Sequence, residues 1–305
     1  MKIILQNKIN FTLILFLISI ILLSTGCSED KNYPWYVEKM KLNDAWKVST
    51  GNGITIAFID TGISKEYYDR IPNRIVSPYN VLTKNTDVTD KIGHGTELIA
   101  AACGSKEEMG VYGIAPKTKI MPILVSDGIG HMAPDNLAEG IKWAISHGAN
   151  IINLSIGSNI NNENVENEIT NANKNNIIVI ASSGDYSQRD LLFPAKMPNV
   201  ISVASQDKSG KMSTFSNYAE NKISILMPGE AIETVSVDVN GKNVNQIVKG
   251  TSIACSLMSG IIALALEVEP KSSFDTLSKA LEIASNNSKS GFINVNDFLS
   301  YIKNR

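Results

Sequence analysis

The chain has 305 residues, is 43% hydrophobic, and sets 28 Lys and Arg against 30 Asp and Glu. That is enough apolar material for one catalytic-size domain, and a charge balance that argues against nucleic acid or an anionic surface as a partner. Three cysteines and three histidines without paired ligand spacing argue against a disulfide scaffold and a zinc site. Cys103 and Cys255 lie in apolar helical runs, where a thiol behaves as a small hydrophobe.

Residues 1–27 read as a targeting segment. Lys2 and Lys8 precede an apolar run from Phe11 to Leu23 that is too short to span a bilayer comfortably and has signal-peptide length. The run ends in Leu23-Ser24-Thr25-Gly26-Cys27, which resembles the lipobox of bacterial lipoproteins, although Ser24 stands where the stricter pattern has an aliphatic residue. The resemblance implies removal of residues 1–26, a lipid on Cys27, a tether over 27–33 and a folded domain over 34–305. It places that domain on the outer face of the bacterial plasma membrane, held by lipid, or secreted if the lipid is absent.

From Pro34 onward the pattern is globular and without repeats. Apolar, β-branched segments at 54–59, 119–124, 150–154, 177–181, 200–204 and 223–227 predict strands. Helical spacing recurs over 94–103, 134–147, 162–174, 252–268, 273–284 and 295–302. This alternation predicts an α/β domain, with a parallel sheet covered by helices on both faces. The asparagine-rich stretch 159–176 keeps apolar spacing at Val165, Ile169 and Ala172, and so reads as a surface helix.

In such a sheet, active groups collect beyond the carboxyl ends of the strands. The strand over 54–59 runs into Asp60-Thr61-Gly62, Gly93-His94-Gly95-Thr96 opens a helix, and Gly250-Thr251-Ser252-Ile253-Ala254 opens a run that is apolar on nearly every face. A helix of that kind is buried, so Ser252 is a hydroxyl delivered to the interior. A helix cap is the simpler role for it. A serine nucleophile, however, needs a base that a third group orients, and Asp60, His94 and Ser252 are those three types. Asp60-Thr61-Gly62 alone would also suit an aspartic peptidase, which needs a second copy and an all-β pattern; neither is evident.

Taken together, these motifs resemble the subtilisin-like serine peptidases, the subtilases, in which the triad runs Asp, His, Ser along the chain. The likeness extends from Trp35 to Tyr301 and includes Gly113-Ile114-Ala115-Pro116 and Met227-Pro228-Gly229. It implies a subtilisin-like three-layer fold and a monomeric endopeptidase acting on a peptide or protein substrate, with no cofactor for the chemistry. Ser252 would be the nucleophile, His94 the base and Asp60 its orienter. The resemblance also implies that Gly128, Ile129 and Gly130 pair with extended peptide by strand addition. Ser155, Ile156 and Gly157, opposite Ala181-Ser182-Ser183, would be walls of the primary specificity pocket. A structural calcium ion would take Asp69 and Glu107, with carbonyls of Met109 and Val111.

The chain departs from the family pattern in several places. Asp185 stands where subtilases have an asparagine that helps hold the oxyanion. An ionised carboxylate there opposes the charge that develops, so a slow or acid-favoured enzyme is expected, with burial beside Ser183 raising the carboxyl pKa. A peptide-binding protein that no longer cleaves is the alternative. Ser256 and Leu257 replace a proline and a histidine of the family, and Glu97 replaces a histidine. Leu192 replaces a pocket-floor glycine and would restrict the pocket to small side chains, giving narrow specificity such as removal of a leader from a secreted peptide. Between Cys27 and Trp35 there is room for a linker but not for the family's usual pro-domain.

Overall fold

The computed structural model describes residues 33–128, 132–220, 222, 224–288 and 290–304, and Pro34–Arg305 forms one compact unit. Parallel strands β1 (Thr55–Asp60), β2 (Tyr79–Asn80), β3 (Lys119–Leu124), β4 (Ile151–Leu154), β5 (Ile178–Ser182), β6 (Ile201–Gln206) and β7 (Ile225–Pro228) form a sheet in the order β2-β3-β1-β4-β5-β6-β7. The register is regular, with Phe58 facing Pro122 on one side and Asn153 on the other.

The helices are α1 (Trp35–Lys39), α2 (Leu42–Ala45), α3 (Lys65–Arg70), α4 (His94–Cys103), α5 (Lys106–Met109), α6 (Pro134–Ser146), α7 (Glu163–Lys174), α8 (Thr251–Val268), α9 (Phe274–Asn286) and α10 (Val295–Lys303). Side chains alternate across a strand. Ala57, Ile59, Met121, Ile123, Ile152, Leu154, Val179 and Ala181 therefore pack with Leu137, Ile141, Val165 and Ile169 of α6 and α7 in one core. The opposite set meets α4 and α8. Asn153, for example, accepts from the Ser259 hydroxyl of α8 at 3.0 Å. Asp60 shares its parity with Ile56 and Phe58 and so belongs to the α4–α8 face.

Helix α8 is long and apolar enough to cross a membrane, yet it is buried within the fold. Its position explains its sequence. It crosses behind β4, β5, β6 and β7, so no face is left to solvent and the usual amphipathic pattern is absent.

The predicted three-layer α/β arrangement is present, with element ends within two residues of those expected. The hairpin of β8 (Ile232–Val237) and β9 (Asn243–Val248) is an addition. Its turn was legible in Asp238-Val239-Asn240-Gly241: the Asp238 carboxylate accepts from Asn240 and Lys242 N–H, and Gly241 takes φ 75°. Strand β9 is mostly exposed and polar, so no apolar alternation marked it. The signal segment and Cys27 lie outside the described residues.

Candidate active site

Strand β1 ends by delivering Asp60, 3% exposed, to the carboxyl edge of the sheet. Its Oδ1 accepts the Thr61 N–H at 2.8 Å and lies 2.7 Å from Nδ1 of His94, the first residue of α4. Glycine is needed for this approach. Any Cβ on Gly95 would collide with the Gly62 backbone, and Gly95 N–H donates to the Thr61 hydroxyl at 2.9 Å.

Asp90 holds the helix start. This fully buried carboxylate accepts the N–H groups of Ile92, Gly93 and Thr96 and the Thr96 hydroxyl, all within 3.0 Å. The sequence reading passed over it. Its signal is an Asp three residues before the glycine that caps a helix, where a carboxylate satisfies otherwise unpaired N–H groups.

The negative charge of Asp60 raises His94 to about 9 from its ordinary 6.5, against the downward pull of burial. The hydrogen bond to Asp60 and the more distant Glu97 and Asp90 add to the rise. Glu97 accepts the Ser236 hydroxyl of β8 at 2.6 Å, so the residue that departs from the family pattern ties the hairpin to α4.

Ser252 is the second residue of α8. The two helices run in the same direction: Ser256 donates to the Leu98 carbonyl, and a Cβ on Gly260 would lie 3.1 Å from the Ala102 carbonyl. Carried one turn back at α-helical spacing, this register sets position 252 level with position 94. Ser252 Oγ donates to the Ser155 carbonyl at 3.3 Å, and the Ser155 hydroxyl donates to the Ser252 carbonyl at 2.9 Å. This pair fixes the segment after β4 against the start of α8. Gly250 precedes the helix with φ 148°, and its N–H donates to Gly229 at the end of Met227-Pro228-Gly229.

Asp185 follows β5 and is exposed, so the burial expected beside Ser183 is not present. Its Oδ1 accepts the Thr251 N–H at 2.9 Å, one residue before the serine, while the Gly184 N–H donates to the Thr251 hydroxyl at 3.2 Å. The carboxylate thus sits at the N-terminus of α8, where the helix dipole favours a negative charge. Asn217, also missed in sequence, secures this loop by accepting the Tyr186 and Gln188 N–H groups.

Ser155, Ile156 and Gly157 follow β4, Ala181 and Ser182 close β5, and Ser183 and Gly184 follow it. Leu192 occupies the space between the two segments. Its side chain would collide with a Cβ on Gly157, and it lies 2.8 Å from where one on Gly184 would stand. Beside Ile156 and Gly157 a largely apolar cavity of about 560 Å³ opens, bounded also by Met132, Leu137, Val165 and Phe193. Gly128, with φ 73°, is exposed next to Ile92. Ile129 and Gly130 lie outside the described residues.

The acidic pair expected to bind calcium lies on two short helices, Asp69 in α3 and Glu107 in α5. Asp69 is paired with Lys65 in the same helix, and Glu107 accepts the Ser105 hydroxyl at 2.9 Å. Among the described residues no three His, Cys, Asp or Glu side chains gather as a metal group.

The subtilase family model matches residues 51–298. Alkaline elastase YaB from a Bacillus species is 27% identical over 238 residues, covering 78% of this chain and 61% of that protein. Fervidolysin from Fervidobacterium pennivorans is 28% identical over 284 residues, covering 83% of this chain and 40% of its own length. The chain thus spans about three fifths or less of these two curated relatives. A solved protease structure from Pseudoalteromonas arctica superposes with a TM-score of 0.80 at 21% identity, covering 90% of this chain and 98% of that one.

Proposed function

The chain belongs to the subtilase family, and from that premise we propose that it is a serine endopeptidase with Ser252 as nucleophile, His94 as base and Asp60 as orienter. The observation that carries this reading is the 2.7 Å contact between Asp60 and His94 Nδ1, at the start of a helix whose parallel neighbour carries Ser252 at the matching position. With Nδ1 held by Asp60, the other ring nitrogen is left to take the serine proton. Ser252 Oγ swings from the Ser155 carbonyl, gives its proton to His94 and attacks the scissile carbonyl. His94 then passes the proton to the leaving amine, and water repeats the sequence on the acyl-enzyme. The Ser252 N–H, one of the first-turn donors that a helix leaves unpaired, supports the oxyanion. The carboxylate of Asp185 beside it opposes that charge.

The substrate is an extended peptide running past Gly128. Leu192 fills the slot between Gly157 and Gly184, so the residue before the cut is small, and the apolar cavity beside Ile156 takes a larger side chain further upstream. Such narrow selection suits removal of a leader from a peptide outside the cell. The lipobox-like Leu23–Cys27 motif supports anchorage there through a lipid on Cys27.

A fluorophosphonate probe tests the chemistry. Labelling of the wild type that disappears in Ser252→Ala is expected. A well-folded wild type that takes no label would instead favour a peptide-binding protein, the reading supported by the exposed carboxylate of Asp185 at the helix start.

A further inference from the structure

The turn that carries Leu192 is held from its far end by a side chain that the peptidase chemistry does not use. Lys222 Nζ donates to three carbonyl oxygens, those of Ala195 at 2.7 Å, Val200 at 3.0 Å and Met197. An ammonium has three N–H donors and no acceptor, so each donor meets one carbonyl of a single turn. Among the described residues no carboxylate pairs with it. Asp275, Lys279 and Glu282 of α9 face it across a cavity of about 330 Å³. The half-buried charge is therefore balanced by carbonyl dipoles, in the way that an oxygen cradle holds a small cation. Burial lowers Lys222 to about 8, which leaves it protonated at neutral pH.

The near end of the same turn is fastened to both walls of the slot. Leu192 N–H donates to the Ser183 carbonyl at 3.0 Å, and Phe193 and Ser158 exchange backbone bonds at 2.8 and 2.9 Å. Within the turn, Lys196 N–H returns to Leu192 and Met197 N–H to Pro194. Residues 192–200 thus form one strap, with the walls at one end and the ammonium at the other.

We propose that Lys222 is a positioning residue for specificity: its ammonium is a cation built into the chain that gathers the carbonyls of residues 195, 197 and 200 and so keeps Leu192 across the slot. The proposal rests on the peptidase reading for what the slot receives. Without the charge, the three carbonyls repel one another, the strap relaxes and the slot admits larger side chains.

The test compares full-length wild type with Lys222→Met, which keeps the length of the side chain without its donors, and with Lys222→Ala. The substrates are peptides with alanine or phenylalanine before the cut. Wild type should favour alanine, and Lys222→Met should lose about tenfold of that preference, a change equivalent to about 1.4 kcal/mol. The change should appear in KM for the phenylalanine peptide, with kcat for the alanine peptide and fluorophosphonate labelling retained. In Lys222→Ala, ammonium chloride should restore the preference and raise Tm, whereas choline chloride at equal ionic strength should do neither. Folded, labelled variants with an unchanged preference would overturn the proposal, as would equal losses on both peptides that ammonium does not reverse. If wild type takes no label, the peptidase reading fails by itself; the Tm of Lys222→Ala in ammonium against choline then decides the cation role.

Discussion

At the scale of single residues, the site turns on two carboxylates with opposite consequences. Asp60 raises His94 to about 9, so the base is charged at neutral pH and becomes competent as pH climbs through that value. The expected kcat/KM profile therefore rises into the alkaline range. In Asp60→Asn the rise moves back toward 6.5, while kcat falls by about 10⁴. The sign for stability is the reverse. A folded pKa above the unfolded 6.5 stabilises the protein below pH 6.5, and that contribution disappears as pH passes about 9. The Tm gap between wild type and Asp60→Asn should accordingly close in alkali, and a gap that widens there would contradict the pairing. In the proposed reading Asp185 acts against turnover. Asparagine can keep the acceptor for the Thr251 N–H and adds an N–H donor, so Asp185→Asn should raise kcat at neutral pH by about 10²–10³, the range known for one such donor in subtilisin. Equal turnover in a kcat measurement would place residue 185 outside the oxyanion site. Asp60 was legible because it ends an apolar strand, and Asp185 because the family resemblance puts an asparagine at its position. The exposure of Asp185 was not, since it depends on how the loop to Asn217 folds back.

At the scale of elements, α8 joins the catalytic edge to the opposite end of the domain. At its last turn, Glu267 Oε2 accepts the Ser49 hydroxyl and the N–H groups of Thr50, Gly51 and Asn52, at 2.6 to 2.9 Å. Burial pushes this carboxyl up, but the four donors outweigh it and hold it below its ordinary value. Its contribution is thus present above about pH 4.5 and is lost as pH falls through the lowered pKa. Glu267→Gln should cost about 1–2 kcal/mol at neutral pH by denaturant melts, with the difference fading in acid. Persistence of the whole difference in acid would mean that packing, not charge, is responsible. Helix α8 could be read from its unbroken apolar run, and β1, β3, β4 and β5 from their β-branched cores. The hairpin β8–β9 could not be read that way, because β9 packs little apolar surface. Neither could the Lys222 cradle, whose acceptors are backbone oxygens that carry no residue-type signal.

At the scale of the whole molecule, the proposed lipid on Cys27 is what would hold the domain outside the cell. The compact unit starts at Pro34 and contains Asp60, His94 and Ser252. A lipid on Cys27 would contribute membrane affinity through about 0.8 kcal/mol per buried methylene, and stable anchorage needs more than one such chain or signal. The expected outcome is that wild type sediments with membranes and incorporates labelled palmitate. Cys27→Ala should lose the palmitate and leave the membrane fraction, with unchanged fluorophosphonate labelling per folded molecule. If Cys27→Ala stays in the membrane fraction without palmitate, the apolar run from Phe11 to Leu23 is itself the anchor. The peptidase would then be held by a retained segment despite its shortness, and the lipobox reading of Leu23–Cys27 would be wrong.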